Sequence, residues 1–269
     1  MLRRKPVNRK DLTLGTRNDY LDALERFQIE PNFWCSEEYF QRAGWRVELD
    51  SGIVAYVLED QEPMLSPVGL KTGNSYPTGV LRGGIWAGFP GDIGDYLLDY
   101  NFIYDPKSFL DLSGGKWQVF RKNSRKYPNR FGDGFYTDRW HTVIDEEDVK
   151  DLFISWLEGK EGEIHDDEVM LDYLLNGDHK KVLIDDDGKI VGINVWDENY
   201  RYVNFRHCVC DPGKFLSEYM RLLFYTDPEI LSKNKLVNDG GALDSPELYR
   251  FKMKLNPIKV NEIYSWRKK

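Results

Sequence analysis

The stretch best equipped for chemistry is Val237-Asn238-Asp239-Gly240-Gly241-Ala242-Leu243, continuing through Leu248 and Phe251-Lys252-Met253-Lys254 to Pro257. Lys235 to Asn238 reads as a short buried strand that runs straight into an Asp-Gly-Gly turn. Two adjacent glycines can take positive φ or let a ligand approach the backbone. Ser245-Pro246 supplies a cap and an N1 proline for a helix over Glu247 to Leu255. The first amides of that helix point back at the turn and suit a carbonyl or phosphate oxygen. A plain strand-to-helix turn, with glycines for geometry, explains the same residues, and the residues alone leave both readings open.

A second candidate is Lys116 to Phe131. Arg121, Lys122, Arg125 and Lys126 sit at i, i+1, i+4 and i+5, which gathers four cations on one face of a helix while Trp117, Phe120 and Ser124 face another. Such a face suits a polyphosphate, a lipid headgroup or the acceptor end of a tRNA. A solvated face paired with nearby carboxylates is the alternative. His207-Cys208-Val209-Cys210 lacks zinc-site spacing, and strand cysteines act mostly as small buried apolar groups. His141, His165 and His179 are scattered, and neither a Ser-His-Asp set, a GxxxxGK[ST] loop nor a GxGxxG after a strand is present.

The elements that must position these residues follow from periodicity. Asp145 caps a helix to Gly159 with Val149, Leu152, Phe153, Trp156 and Leu157 as its apolar stripe. A second helix starts at Asp166 with Val169, Met170, Tyr173 and Leu174 inward, and Asn176-Gly177 stops it. Lys181 to Ile184, an Asp185-Asp186-Asp187-Gly188 turn and Lys189 to Trp196 form a hairpin, and Tyr200 to Cys208 alternates as a third strand. Pro212-Gly213 opens a helix ending before Asp227-Pro228, and Ile258 to Trp266 is a final strand. Earlier in the chain, Asn18 to Phe27 and Ser36 to Ala43 read as helices and Trp45 to Leu58 as a hairpin, with Met64 to Leu70 a third strand. Asp95 to Tyr100 reads as helical and Asn101 to Tyr104 as a strand, then Pro106 to Leu112 and Trp117 to Tyr127 as helices. The same order recurs at a spacing of roughly 130 residues, which suggests one fold used twice, as residues 1–140 and 141–269 joined near Thr137 to Thr142.

Lys and Arg number 37 against 45 Asp and Glu, a net charge of −8, which argues against a protein that mainly coats nucleic acid. Three cysteines without framework spacing fit a reducing, cytoplasmic compartment. The basic start, Met1 to Lys10, has no apolar segment after it, so no signal peptide is expected, and no run reaches the ~18 apolar residues of a membrane span.

The segment Val237 to Gly241 with Leu248, Phe251-Lys252 and Pro257 resembles the closing segment of the aminoacyl- and acyl-transferring branch of the GNAT superfamily, which includes phosphatidylglycerol lysyltransferase-type and FemA/FemX-like domains. Leu112-Ser113-Gly114-Gly115-Lys116 with Arg121-Lys122-Asn123 and Phe131 is similar to the first-half signature of the same domains, a Gly-Lys step leading into a basic helix. The resemblance implies an α/β (α+β) tandem GNAT-like fold, two mixed-sheet halves each with flanking helices, with the active cleft in the second half where two central strands splay. It implies an acyltransferase or aminoacyltransferase moving a group from an activated donor, acyl-CoA or another thioester or an aminoacyl-tRNA, to an amine or hydroxyl, by positioning and oxyanion stabilisation. On that reading Asp239, Asn238 and Lys252 are catalytic, and Gly240 and Gly241 line the cleft. Arg206 contacts donor or acceptor oxygens, and Arg121, Lys122, Arg125 and Lys126 bind phosphate. Neither a metal nor a tightly bound cofactor is expected.

One departure bears on the donor. The place of the family's Gly-rich pyrophosphate loop reads Cys210-Asp211-Pro212-Gly213-Lys214, where Pro212 removes an amide and no Gly-x-Gly is present. Weight therefore shifts from acyl-CoA towards aminoacyl-tRNA or another activated donor. The rival expectations are a catalytically inactive module that binds nucleic acid or a partner, and a transferase that modifies an amine on nucleic acid.

Overall fold

A computed structural model describes residues 12–50, 54–59, 62–68, 85–87, 96–132, 134–139, 144–159, 167–213, 215–242 and 245–267. The basic tip, the glycines between Thr78 and Gly94, His141, His165 and the second half of the expected join lie outside these residues.

The described residues of Met1–Asn101, Asn199–Arg201 and Val260–Lys269 form one compact unit. Its strands β1 (Leu12–Leu14), β2 (Arg46–Asp50), β3 (Val54–Glu59), β4 (Glu62–Val68), β5 (Ile85–Ala87) and β12 (Lys259–Arg267) lie side by side in that order. β4 and β5 are parallel and the other pairs antiparallel, so the sheet is mixed. Helix α1 (Arg17–Arg26) starts from a Thr16–Asp19 capping box and packs its buried Tyr20 and Leu24 on the hairpin side. Helix α2 (Glu37–Arg42) is capped by Ser36, which accepts the Tyr39 N–H at 3.0 Å. Both helices and the hairpin stand where the sequence predicts.

Phe102–Glu198 and Tyr202–Lys259 form the second unit, which holds every candidate site residue. Its sheet runs from the end of β6 (Tyr96–Tyr104) through β11 (Leu236–Asn238), β10 (Tyr202–Cys210), β9 (Ile190–Glu198) and β8 (His179–Ile184) to β7 (Phe135–Thr137). β10 and β11 are parallel and their neighbours antiparallel, so this sheet too is mixed. Helix α5 (Glu146–Glu158) begins at Asp145, which accepts the Glu147 N–H, and buries Val149, Leu152 and Phe153. Helix α6 (Asp167–Asn176) buries Met170, Tyr173 and Leu174 of the expected stripe, while Val169 is half-buried. Helix α7 (Leu216–Tyr225) packs on β9 and β10. β9 is buried from Ile190 to Asp197 because helices cover both of its faces. The core beneath α7 is aromatic: Phe109 stacks on Tyr225, and Phe205 on Phe224, each pair with ring centres 4.0 Å apart.

Three expectations are corrected. Residues 96–100 are not helical but the first part of β6, a strand set between β12 and β11, since a run rich in β-forming residues gains more from joining a sheet than from a local turn. The helix expected over Trp117 to Tyr127 is split into α3 (Gln118–Ser124) and α4 (Lys126–Phe131). Pro128 explains the break, because it cannot donate to the Ser124 carbonyl four residues back. Pro106 to Leu112 shortens to one 3-10 turn, Pro106–Phe109. Helix α8 (Pro228–Ser232), capped by Asp227, was not expected, and α9 (Pro246–Lys254) follows β11 as predicted.

Gly177, which ends α6, places a hypothetical Cβ 2.4 Å from the Tyr173 carbonyl oxygen. Backbone cannot move aside there, so Gly177→Ala is expected to lower unfolding free energy by about 1–3 kcal/mol in urea titration, with the slope unchanged.

Candidate functional site

β11 pairs with β10 only over Tyr202↔Leu236 to Asn204↔Asn238. Beyond Asn204, β10 runs on to Cys210 with β9 as its hydrogen-bonded neighbour among the described residues, so its other edge is open where β11 has turned away. The pairing with β9 slips between Phe205 and His207, leaving Arg206 as the extra residue of a bulge. Bulges re-aim side chains and are common beside active sites.

At the end of β11, Asn238 accepts the Gly240 N–H at 3.1 Å, and Gly240 takes φ +56°, the left-handed region that glycine enters without cost. Asp239, only 4% exposed, faces two cations. Arg221 of α7 lies 3.4 Å from Oδ2, and Lys252 of α9 lies 3.2 Å from Oδ1. The Tyr225 hydroxyl donates to Oδ2 at 3.1 Å. Lys252 also donates to the carbonyls of Asp239 and, at 2.9 Å, of Gly241, so it clamps the whole turn, and its own carbonyl accepts from the Tyr104 hydroxyl at 2.8 Å. Burial opposes the Arg221 charge, yet Asp239 and then Cys208, Tyr225 and Tyr104 together outweigh it and raise the guanidinium pKa. Burial, and then Asp239, push the Tyr104 and Tyr225 phenols up, so both remain neutral donors.

Arg206 is held in a second buried cluster. Its Nε lies 2.6 Å from Asp197 Oδ2 and a terminal nitrogen 3.0 Å from Oδ1, a bidentate pair joined by Tyr173 at 2.6 Å and Asn204 at 2.8 Å. His207 follows on the open segment of β10. Its Nε2 is sealed from solvent and has no partner, as is also true of Asn204 Oδ1. Burial first, then Arg206 and Lys252, lower the imidazole pKa to about 3. His207 is thus the histidine that lies within electrostatic reach of Lys252. Sequence reasoning missed this because it weighed His207 only beside the two cysteines.

The basic segment divides. Arg121 turns inward onto the Leu112 carbonyl, and Lys126 lies 4.1 Å above the Phe215 ring. Lys122 and Arg125 are exposed, with no ion pair among the described residues. Trp117, Phe120 and Ser124 are buried, as the helical face predicts. At α9, the Ser245 side chain takes the Leu248 N–H at 3.2 Å and Pro246 has none to offer, so the helix start is largely closed by its own cap rather than held open for a ligand. Among the described residues no group of His, Cys, Asp and Glu could hold a metal ion, and none of the three cysteines is in a disulfide.

Two outcomes follow from this burial. Asp239→Asn removes the shared counterion of two buried cations and is expected to cost about 3–5 kcal/mol by chemical denaturation, so loss of activity there must be read against loss of fold. His207 has a folded-state pKa below its unfolded value of ~6.5, so the folded chain binds fewer protons; its contribution is whole above that pH and is lost as pH falls towards 3, by at most about 1.4 kcal/mol per pH unit. Urea midpoints between about pH 4 and 7 should fall less steeply in His207→Gln than in the natural chain.

No protein-family model and no curated protein matches the sequence. Among solved structures, the chain is similar to a conserved protein of unknown function from Bacteroides thetaiotaomicron VPI-5482, with TM-score 0.67 and 15% identity over 96% of this chain and 99% of that one. It is also similar to L-PGS from Bacillus licheniformis, with TM-score 0.61 and 15% identity over 93% of this chain and 91% of that one. A C-terminal DUF2156 domain from Agrobacterium fabrum matches with TM-score 0.55 and 14% identity, over the same shares. The chain therefore has the mixed α/β fold of L-PGS and of that domain.

Proposed function

We propose that the chain is an acyl- or aminoacyltransferase working at the open edge of β10. The observation that carries this reading is the early end of β11: a strand edge left unpaired from Phe205 onward faces a Gly-Gly turn fixed by buried charges. An extended donor arm laid on that edge would bring its carbonyl to the turn; an amine or hydroxyl would attack it there, the donor's ester or thioester bond would break, and the donor's alcohol or thiol would leave with the attacker's proton, with no covalent enzyme intermediate. In this reading Asn238, Asp239 and Lys252 shape and polarise the cleft at Gly240 and Gly241, and the neutral His207 offers a nitrogen to the attacking group. Arg206 acts through Asp197 to fix the bulge. Lys122 and Arg125 meet the phosphates of the donor, with Arg121 and Lys126 bracing the same segment.

Aminoacyl-tRNA is the donor we favour over acyl-CoA, because Pro212 and the left-handed Phe215 (φ +75°) stand where an amide-rich phosphate loop is wanted. Residues 1–140 and 141–269 are read as two copies of one fold, since the order helix, helix and three meander strands recurs in α1–β4 and α5–β10. Cysteines outside any disulfide suit a reducing cytoplasm, and no helix among the described residues is long and apolar enough to cross a membrane. A second reading, a module that binds without chemistry, has in its favour that the Asp239 carboxylate and both cations around it are taken up by one another.

Calorimetric titration with an aminoacyl-tRNA and with acetyl-CoA separates these. Binding of the tRNA is expected, with a log-affinity against log-salt slope reduced by roughly 1.5 in Lys122→Ala/Arg125→Ala. Tight acetyl-CoA binding overturns the choice of donor, binding of neither overturns the transferase, and tRNA binding without transfer to any amine leaves the binding module.

A further inference from the structure

Two stretches of the second unit contain neither Asp nor Glu: residues 112–131, with six Lys and Arg, and residues 248–259, with four. In a chain of net charge −8 this concentrates positive charge in one part of the molecule. The fold brings the two stretches together, because Asn256 Nδ2 donates to the Lys116 carbonyl at 3.2 Å. Val119 lies one turn beyond Lys116 and Met253 one turn before Asn256, so each stands about 5 Å along its helix from that bond. Ile258 follows two residues after Asn256 and is fixed there by its N–H, which donates to the Ile103 carbonyl at 2.8 Å. Leu110 joins them from the end of the 3-10 turn, next to Phe109, whose ring centre is 5.0 Å from that of Trp117.

Leu110, Val119, Met253 and Ile258 are 62%, 53%, 41% and 56% exposed. Lys116 and Lys254 are exposed with them and have no ion pair among the described residues. The carboxylates that flank the two stretches are already engaged: Asp111 accepts the Ser113 N–H at 2.9 Å, and Glu247 pairs with Arg250 at 3.0 Å. Single exposed apolar side chains are ordinary, but four of them around one hydrogen bond, with cations beside them, make an amphipathic surface.

We propose that this surface docks the chain on an anionic lipid bilayer, with the two ammonium groups meeting the charged headgroups and the four apolar side chains entering the boundary beneath them. A nucleic acid matches the charge but not the apolar part, since its bases stack on exposed aromatic rings and none of these four side chains has one. The surface shares no residue with the proposed transfer site, so its failure leaves that reading untouched.

Co-sedimentation of the full chain with vesicles of phosphatidylcholine, pure or with about a third phosphatidylserine, tests the proposal. Binding to the anionic vesicles, weakening as salt rises, and none to the neutral ones are expected. Lys116→Ala/Lys254→Ala should weaken binding about thirtyfold and Met253→Ser/Ile258→Ser about tenfold. All four side chains are exposed, so both variants keep the fold. Ile154→Ser removes an exposed apolar side chain of α5, outside the surface, and is expected to change nothing. No binding to anionic vesicles, equal binding to both kinds, or no effect of Met253→Ser/Ile258→Ser overturns the proposal, and binding of single-stranded RNA in place of vesicles assigns the surface to a nucleic acid instead.

Discussion

A carboxylate that cannot reach water holds the second unit's working end together. Asp239 sits at the tip of a strand only three residues long, and such a strand has little stability of its own. Its position is set instead by charges that arrive from different parts of the chain. Arg221 comes from α7, Lys252 from α9, and Tyr104 from β6 reaches the Lys252 carbonyl. Each cation would be costly if left buried alone, so the elements must assemble together or not at all. The aromatic layer of Phe109, Tyr225 and Phe205 surrounds this point and keeps its effective dielectric low.

The Asp197 cluster repeats the arrangement on the other side of β10, with Arg206 as the buried cation and Tyr173 and Asn204 as the neutral donors. Stability alone gives a weak account of two such centres, because a buried ion pair replaced by well-packed apolar groups is often neutral or favourable. Both lie along the same strand, at the place where it loses its partner. Charges fixed in advance at a dry strand edge are what a reaction that develops charge requires.

Much of this could be read from the residues in order. The Asp145 cap and its apolar stripe, the Asp185 turn between β8 and β9, and the strand that runs into Asn238-Asp239-Gly240-Gly241 are local signals, each carried by a few neighbours. The partners of the site are not local. Arg221 had a faint signal, a charge on the buried side of a helix otherwise lined by Leu216, Met220 and Phe224. Asp197 had less, since its meeting with Arg206 depends on a bulge that shifts register by one residue. Residues 96–100 misled for the same reason, as the two strands beside β6, β11 and β12, lie more than a hundred residues on. The split at Pro128 was legible and was passed over in favour of charge periodicity.

The last strand of the chain and the end of β6 change places between the units: β12 pairs with β5 in the first, while Phe102–Tyr104 complete the second beside β11. Neither unit is a contiguous piece of sequence. On the ribosome the first unit's sheet therefore stays unfinished until β12 has been made, although most of its residues emerge before those of the second unit. Contacts this distant in sequence slow folding. Loss of β12 would take an inner strand from beside β5, so damage there would be felt first in the unit whose other strands were made long before.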